Sequence, residues 1–429
     1  MKCKLSEINP SSCTKVSVPD NIHFVWIGDV GKINCEYINI WQRSNQSKTI
    51  NLWLDQNTFS CGYLLNCIQK HVFDNFIDNQ SEVEMHIRNS AFKYIFPRLK
   101  KGLSFDGLVR EFLFNHSINE GEKINHDLKR QITNSNIVIK DIGGLFDNEF
   151  EIYMQYYYYE VILRGNLASA SDIIRLLILY KHGGIYIDVD TLPYTDYVYS
   201  RVNTFLKNEN IVEDDFILLN KTLNILNKLE RQNDPDYEDN YSNIASEDVV
   251  KTKPYGYKYH EIQRLIRLDV SSFSIDKIIP LGEVRVIRNL MAIGSLPRLK
   301  GIYFNHFIAS HSESKSVRII LRIMKKRYKY LEGHNCIFEF YNGVPKNEYL
   351  SRILTWRSEL ITKNYCVTSV LTGPGLIIEV LLGLAYQLLS LEGVEPDYVA
   401  EFFQNEQYGI ALYQHNLDTP YGHRSTWRE

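Results

Sequence analysis

No stretch of this sequence reaches the roughly 20 apolar residues in succession that a membrane span needs. The most apolar late stretch, residues 376–391, is interrupted by Glu379 and Gln387 and reads as a buried helix. Residues 1–19 are polar and lack the apolar core of a secretory signal peptide. Neither charge dominates: 48 Lys and Arg against 51 Asp and Glu leave a net charge of −3, so nothing argues for nucleic acid as a partner. No two cysteines have C-x-x-C spacing, and their number, seven, is odd. Free thiols in a reducing place of action are the simplest reading. No internal repeat is visible. The densest basic run, Lys325-Lys326-Arg327 with Lys329, lies on a helical pattern over 317–330 and reads as a solvated face before a membrane or acidic-partner site.

What is present is an ordinary globular balance, 44% hydrophobic and 23% charged residues over 429 positions, enough for a large core. The 29 tyrosines suit a core with satisfied hydroxyls first and a carbohydrate or protein contact second. Residues 21–28 read as a strand closed by Gly28, 36–43 as a helix and 49–54 as a second strand. That strand–helix–strand opening predicts an α/β fold with a mainly parallel central sheet. Long helical patterns fill 62–165, read as a helical insertion. Residues 169–180 predict an apolar helix with Ser169 and Asp172 at capping-box spacing, ended by Gly183-Gly184. A buried strand follows over 185–189. Residues 346–391 read as helical on both sides of Thr372-Gly373-Pro374-Gly375, and 418–429 as a tail.

The chemistry concentrates in Gly183-Gly184-Ile185-Tyr186-Ile187-Asp188-Val189-Asp190. On a strand, residues two apart face the same way, so Asp188 and Asp190 are expected to project together. Two carboxylates at a buried strand end repel unless a cation lies between them. Oxygen ligands favour a hard divalent ion, Mg²⁺ or Mn²⁺, and such an ion can stabilise a departing diphosphate. Asp172 and Arg175 share a helix face three residues apart. They form either an ordinary ion pair or a grip on sugar hydroxyls, and the spacing leaves both open. Trp26 at its strand end either stacks on a base or fills core, and spacing alone favours core.

Several blocks occur in one order along the chain: Phe24-Val25-Trp26-Ile27-Gly28; Tyr37-Ile38-Asn39-Ile40-Trp41; Asp55-Gln56-Asn57; Asn166-Leu167-Ala168-Ser169-Ala170-Ser171-Asp172-Ile173-Ile174-Arg175; the acidic block above, running on to Thr191-Leu192-Pro193; Phe304-Asn305-His306; and Ser425-Thr426-Trp427. Together they resemble the glucosyltransferase domains of the large clostridial cytotoxins and related bacterial effector glycosyltransferases. The resemblance implies a single GT-A domain over 1–429, with a variable acceptor-side subdomain over 195–280, and a metal-dependent, retaining transfer of a hexose. The donor is a UDP-sugar, UDP-glucose before others. The acceptor is a hydroxyl of a host protein, a small GTPase. A polysaccharide or glycolipid acceptor and a non-transferring UDP-sugar-binding module are the rivals. In this reading Trp26 stacks on uracil with Val25 beside it, and Leu167 and Ser171 line the nucleoside. Asp172 and Arg175 hold the hexose, Tyr186 and Asp188 support ribose and phosphate, and Asn305 lies near the anomeric centre. Asp190 binds the metal, with Asp188 and Ser425 assisting. Gly422 stands where the family has a glutamate, and the neighbouring His423 is the expected replacement ligand. The early position of the Trp26 block implies a chain without the toxins' N-terminal helical bundle, a stand-alone effector made in the bacterial cytoplasm and delivered to a host cytosol without a signal peptide.

Trp427 lies in the tail, where chains normally fray. As a lid it would aim its indole N–H at the leaving oxygen and shut out water; as an anchor it would only pack. The lid reading predicts that Trp427→Phe keeps its melting temperature and loses about a hundredfold in kcat. An unchanged kcat removes Trp427 from the catalytic set.

Overall fold

The structure, a computed structural model, describes residues 14–33, 35–55, 61–118, 136–233, 257–295, 299–343, 348–362, 366–405 and 410–413. Strands are β1 (Lys15–Ser17), β2 (Asn21–Trp26), β3 (Thr49–Leu54), β4 (Ile137–Asp141), β5 (Gly184–Ile187), β6 (Arg285–Ile287), β7 (Met291–Ser295), β8 (Tyr303–Ser310) and β9 (Ala411–Tyr413). β1 and β6 form a small antiparallel ribbon. The other seven make one sheet in the order β4-β3-β2-β5-β8-β7-β9. Its β4-β3-β2-β5 half is parallel, and β8 is reversed between β5 and β7. β7 and β9 are parallel as well, so four of the six ladders bear out the mainly parallel expectation, although the molecule as a whole is far more helical than a simple open sheet.

Alternation along the strands divides the interior into two layers. Ile22 and Phe24 of β2, Leu52 and Leu54 of β3, and Ile185 and Ile187 of β5 face one layer, where Ile38 and Trp41 of the helix Cys35–Ser44 meet them. Val25, Trp53 and Tyr186 face the other, which is built on the helix Leu167–His182. That helix is buried nearly all round, as its apolar sequence requires.

The region read as a helical insertion holds helices Cys61–Asn75, Gln80–Leu99 and Phe105–Asn115, but also β4, which extends the central sheet beside β3. A helix Glu151–Tyr158 runs on as a π-helical turn, Tyr159–Arg164, ended by Gly165 at φ 69°. Between 195 and 280, helices Ser200–Asn208, Asp215–Asn233 and Tyr257–Ser271 share an apolar core, and Tyr37 and Ile40 of the Cys35–Ser44 helix join it. Among the described residues, no helix is long and apolar enough to cross a membrane.

Two local readings need correction. The capping residue of Leu167–His182 is Asn166, whose Oδ1 accepts from Ser169 N at 2.9 Å; Ser169 lies inside the first turn. β5 ends at Ile187, two residues earlier than expected. Asp188 N still donates to His306 O (2.9 Å), but Thr191 N then bonds back to Asp188 O (3.0 Å). Asp188-Val189-Asp190 therefore begins a turn, and strand alternation fixes only Asp188.

Gly183 and Gly184 are required where that strand begins. Both have positive φ, 63° and 95°. A Cβ on Gly183 would meet Ser312 N at 2.5 Å, and one on Gly184 would meet Asn21 O at 2.7 Å. Buried His23 locks the same junction. Trp53 Nε1 donates to its Nδ1 (3.1 Å), so the ring proton sits on Nε2, which bonds Gly183 O (3.0 Å). Burial pushes the pKa of His23 down to about 3. The unfolded chain takes up this proton near pH 6.5 and the folded chain resists until far lower. Stability is therefore full above pH 6.5 and falls as pH drops toward 3, by about 2 kcal/mol between pH 6.5 and 5 from this group. Urea denaturation at pH 7 and pH 5 should show a shallower pH dependence in His23→Gln than in the native chain; equal dependence rejects the assignment.

Candidate active site

The site lies where β2 and β5 end. These strands are neighbours, but their ladder stops at the pair His23–Tyr186, and the order reverses here: β3 and β4 lie on one side of β2, β5 on the other. A crevice at the carboxyl ends of such a switch point is where open α/β sheets bind ligands. Trp26 closes β2 on one lip, half-buried, with Nε1 donating to Asp29 O at 2.8 Å. Val25 is buried in the opposite layer. Past Trp26 the chain turns at Gly28, φ 102°, and Leu167 packs so closely that a Cβ there would fall 2.8 Å from its Cδ1. Leu167 begins the helix that carries Ser171, Asp172 and Arg175. A single close packing thus joins the Trp26 and Asp172 blocks.

Arg175 is the hub. Its guanidinium is almost fully buried, with Nη2 3.2 Å from Asp172 Oδ1 and Nη1 3.2 Å from Asp188 Oδ1. Nη1 also donates to Asn305 O at 2.9 Å, and the guanidinium carbon stands 4.4 Å from the Tyr186 ring centre. Burial works against the charge, but Asp188, Tyr186, Asp172 and Asp190 outweigh it and raise the Arg175 pKa. The two helical residues three apart are therefore more than a local pair: they bind the β5 end and β8.

Asp172 receives from three directions. Asn305 Nδ2 donates to Oδ1 (2.9 Å), Arg175 faces the same oxygen, and Thr372 Oγ1 donates to Oδ2 (3.0 Å). Burial raises its pKa to about 6, with Arg175 and Thr372 opposing and Asp188 and Glu160 adding to the rise. Tyr186 faces the same layer and donates to Asp188 Oδ1 at 2.5 Å, while Ser171 hydrogen-bonds the Tyr186 hydroxyl. Asp188 and Asp190 are only partly buried, and Val189 turns toward the layer of Ile187.

The structure thus brings together Leu167, Ser171, Asp172, Arg175, Tyr186, Asp188 and Asn305. Asp190 is close enough to Arg175 to act on its charge. His423, Ser425 and Trp427, with the whole 418–429 tail, lie outside the described residues. Among the described residues no group of three or more His, Cys, Asp or Glu side chains is arranged to hold a metal ion. What stands at the turn is two hard carboxylates, a donor set that suits a Mg²⁺-like ion completing its shell with substrate phosphates and water.

Sequence reading missed Thr372, seen only as a break between helices, and the buried network behind it. Glu160 Oε1 accepts from Tyr328 Oη (2.6 Å) and Trp356 Nε1 (2.8 Å), and its Oε2 pairs with Arg164 Nη1 (2.9 Å). Arg164 reaches Glu359 and, at 2.8 Å, Thr368 Oγ1, which also receives Asn166 Nδ2 at 2.9 Å. The spacing of Glu160, Arg164 and Asn166 in sequence was the available signal.

A mainly parallel, mixed sheet with its acidic turn at the switch point is a GT-A-like fold. A family model described as the TcdA/TcdB catalytic glycosyltransferase domain matches residues 20–365. The chain belongs to this family of glycosyltransferase enzymes. Toxin A of Clostridium novyi is 26% identical over 367 residues, covering 77% of this chain and 15% of the toxin's own length. The crystal structure of the catalytic domain of alpha-toxin from Clostridium novyi superposes with a TM-score of 0.70 at 20% identity, covering 99% of this chain and 83% of that one. The UDP-bound glycosyltransferase domain from the YGT toxin gives 0.56 at 18%, covering 94% and 81%.

Removing the hub charge tests this geometry. Arg175→Met leaves Asp172 and Asp188 without their shared cation and should cost about 3 kcal/mol in urea denaturation. Asp172→Asn added to it should recover part of that loss. Simple additivity of the two substitutions would show that the residues do not interact.

Proposed function

We propose that this chain transfers a hexose from a UDP-sugar, UDP-glucose first, to a hydroxyl of a host protein, with a small GTPase as the acceptor class and with retention at the anomeric carbon. The observation that carries the reading is the buried guanidinium of Arg175 holding Asp172, Asp188 and Asn305 in one constellation at the end of β5. The similar fold of the UDP-bound glycosyltransferase domain of the YGT toxin supports a UDP-linked donor.

Each residue then has a physical task. Trp26 offers a half-exposed aromatic face at the end of β2 for a uracil ring. Leu167 and Ser171, on the first turns of their helix, flank the nucleoside. Asp172 accepts from sugar hydroxyls and Arg175 donates to them. The carboxylates of Asp188 and Asp190 hold Mn²⁺ or Mg²⁺, with His423 and Ser425 of the tail as further ligands. Such an ion, when bound, supplies charge neutralisation to the diphosphate leaving group. Asn305, at the edge of β8, orients the anomeric centre, while Phe304 and His306 beside it (ring centres 5.7 Å apart) are bulky enough to disfavour a 2-acetamido group.

Measuring released UDP across a panel of nucleotide sugars, with Mn²⁺ and with EDTA, tests the reading. UDP-glucose should be the best donor and exceed UDP-N-acetylglucosamine. Asp188→Asn and Asp190→Asn should each lose at least about a hundredfold. Full turnover in EDTA sinks the metal assignment, and no turnover of any UDP-sugar by the native chain sinks transfer itself.

A further inference from the structure

The two carboxylate oxygens of Asp172 are held from different parts of the chain. Oδ1 is fastened by Asn305 of β8 and by Arg175 on its own helix. Oδ2 is fastened by Thr372, 200 positions away in sequence. Thr372 is buried, and its hydroxyl has two acceptors in reach, Asp172 Oδ2 at 3.0 Å and Thr368 O at 3.3 Å, of which the carboxylate is the nearer and the charged one. Ser169 Oγ lies 2.9 Å from Thr372 Oγ1. With Thr372 donating to the carboxylate, which can only accept, Ser169 is left as the donor to Thr372. Both oxygens of Asp172 are then engaged, Oδ1 by Asn305 with Arg175 as ion-pair partner and Oδ2 by Thr372. Gly373 completes the wall: a Cβ there would stand 3.4 Å from Oδ2, in close contact.

Thr372 is itself held. It sits just past the helix Cys366–Leu371, with its amide bonded to Thr368 O. Thr368 is clamped by Glu359 through both its amide and its hydroxyl, and by Arg164 and Asn166. Asn166 is also the cap of the helix that carries Asp172. The carboxylate and the hydroxyl that aims it are therefore tied to one frame, so neither can rotate alone.

We propose that Thr372 is a positioning residue of the transfer site: its hydroxyl sets the orientation of the Asp172 carboxylate and thereby the fit of the donor hexose, without touching the nucleotide. This rests on the reading of Asp172 as the hexose grip. It predicts a split between sugar and nucleotide, because a misaligned carboxylate harms only the sugar end.

The test compares the native chain with Thr372→Val, Thr372→Ser and Thr372→Cys, measuring UDP-glucose turnover with Mn²⁺, UDP affinity by calorimetry and melting temperature. Thr372→Val, which keeps the volume and loses the donor, should lower kcat/KM for UDP-glucose by at least about tenfold, as loss of a hydrogen bond to a charged group does. Its affinity for UDP alone should stay within about twofold, a tolerance far below the tenfold expected of a lost contact. Thr372→Ser should restore most of the turnover. Thr372→Cys, a weak donor of similar size, should fall between, and stands in for the valine variant should that one not fold. Native kcat/KM in the valine or cysteine variant overturns the proposal. So does an equal loss of UDP affinity, or a serine variant as poor as valine. A native chain that turns over no UDP-sugar is a different failure: it rejects the transfer reading on which the proposal rests.

Discussion

The site depends on one buried positive charge. Asp172 and Asp188 come from a helix and from the end of β5, and each would be costly to bury as an anion alone. Arg175 lies within 3.2 Å of both, and its five-donor plane leaves a further N–H for the carbonyl of Asn305. Asp190 adds another carboxylate to the same field. Acid outnumbers base, so the turn retains negative charge even with Arg175 present. A diphosphate cannot approach such a turn without an accompanying cation, which is the electrostatic basis for metal dependence in the proposed reaction.

Behind this hub lies a second, drier network with the same arithmetic. Arg164 answers Glu160 and Glu359, both fully buried, and Tyr328, Trp356 and Thr368 satisfy the remaining oxygens. Burial raises the Glu160 pKa against the pull of Arg164. A buried ionic cluster of this kind is poor value as stability compared with apolar packing. Its geometric effect is clear, however. It joins the π-helical turn, the cap of the Leu167–His182 helix and the Cys366–Leu371 helix into one body. π-helical turns commonly mark functional sites, and here the turn sets Glu160 and Arg164 toward the same interior.

The parts of this arrangement that could be read in sequence are those written in local periodicity. β3 falls where its alternation places it, and the first helix differs by a residue at each end. Gly183-Gly184 is legible because only a residue without a side chain fits there. β4 was hidden because it is a short strand with Val138 and Ile139 well exposed, so no apolar face announces it within a helical region. Ser169 at capping-box spacing was misleading because Asn166, three residues earlier, is the better cap. Strand alternation could not fix the projection of Asp190, because the chain leaves the ladder after Ile187. Thr372 and Glu359 could not be seen at all: their partners Asp172 and Arg164 lie 200 and 195 positions away, and only the folded chain brings them together.

The reversal of β8 explains how so distant a residue as Asn305 reaches the acidic turn. In a parallel strand beside β5, residues at the carboxyl end would arrive after the whole strand had been laid down, on a fresh crossover. β8 runs the other way. Ser310 pairs with Gly184 and Phe307 with Ile187, so the first residues of β8 extend past the end of β5. His306 O then receives the Asp188 amide, and Asn305, one step further, meets both Asp172 and Arg175. An antiparallel register shifted by one residue would present Phe304 or His306 to that pair, and neither can both donate to a carboxylate from an amide and keep its backbone carbonyl on the guanidinium. The register of one ladder thus decides which side chain closes the site, and that register is held by Ile308 and Phe307 packing on opposite layers of the sheet.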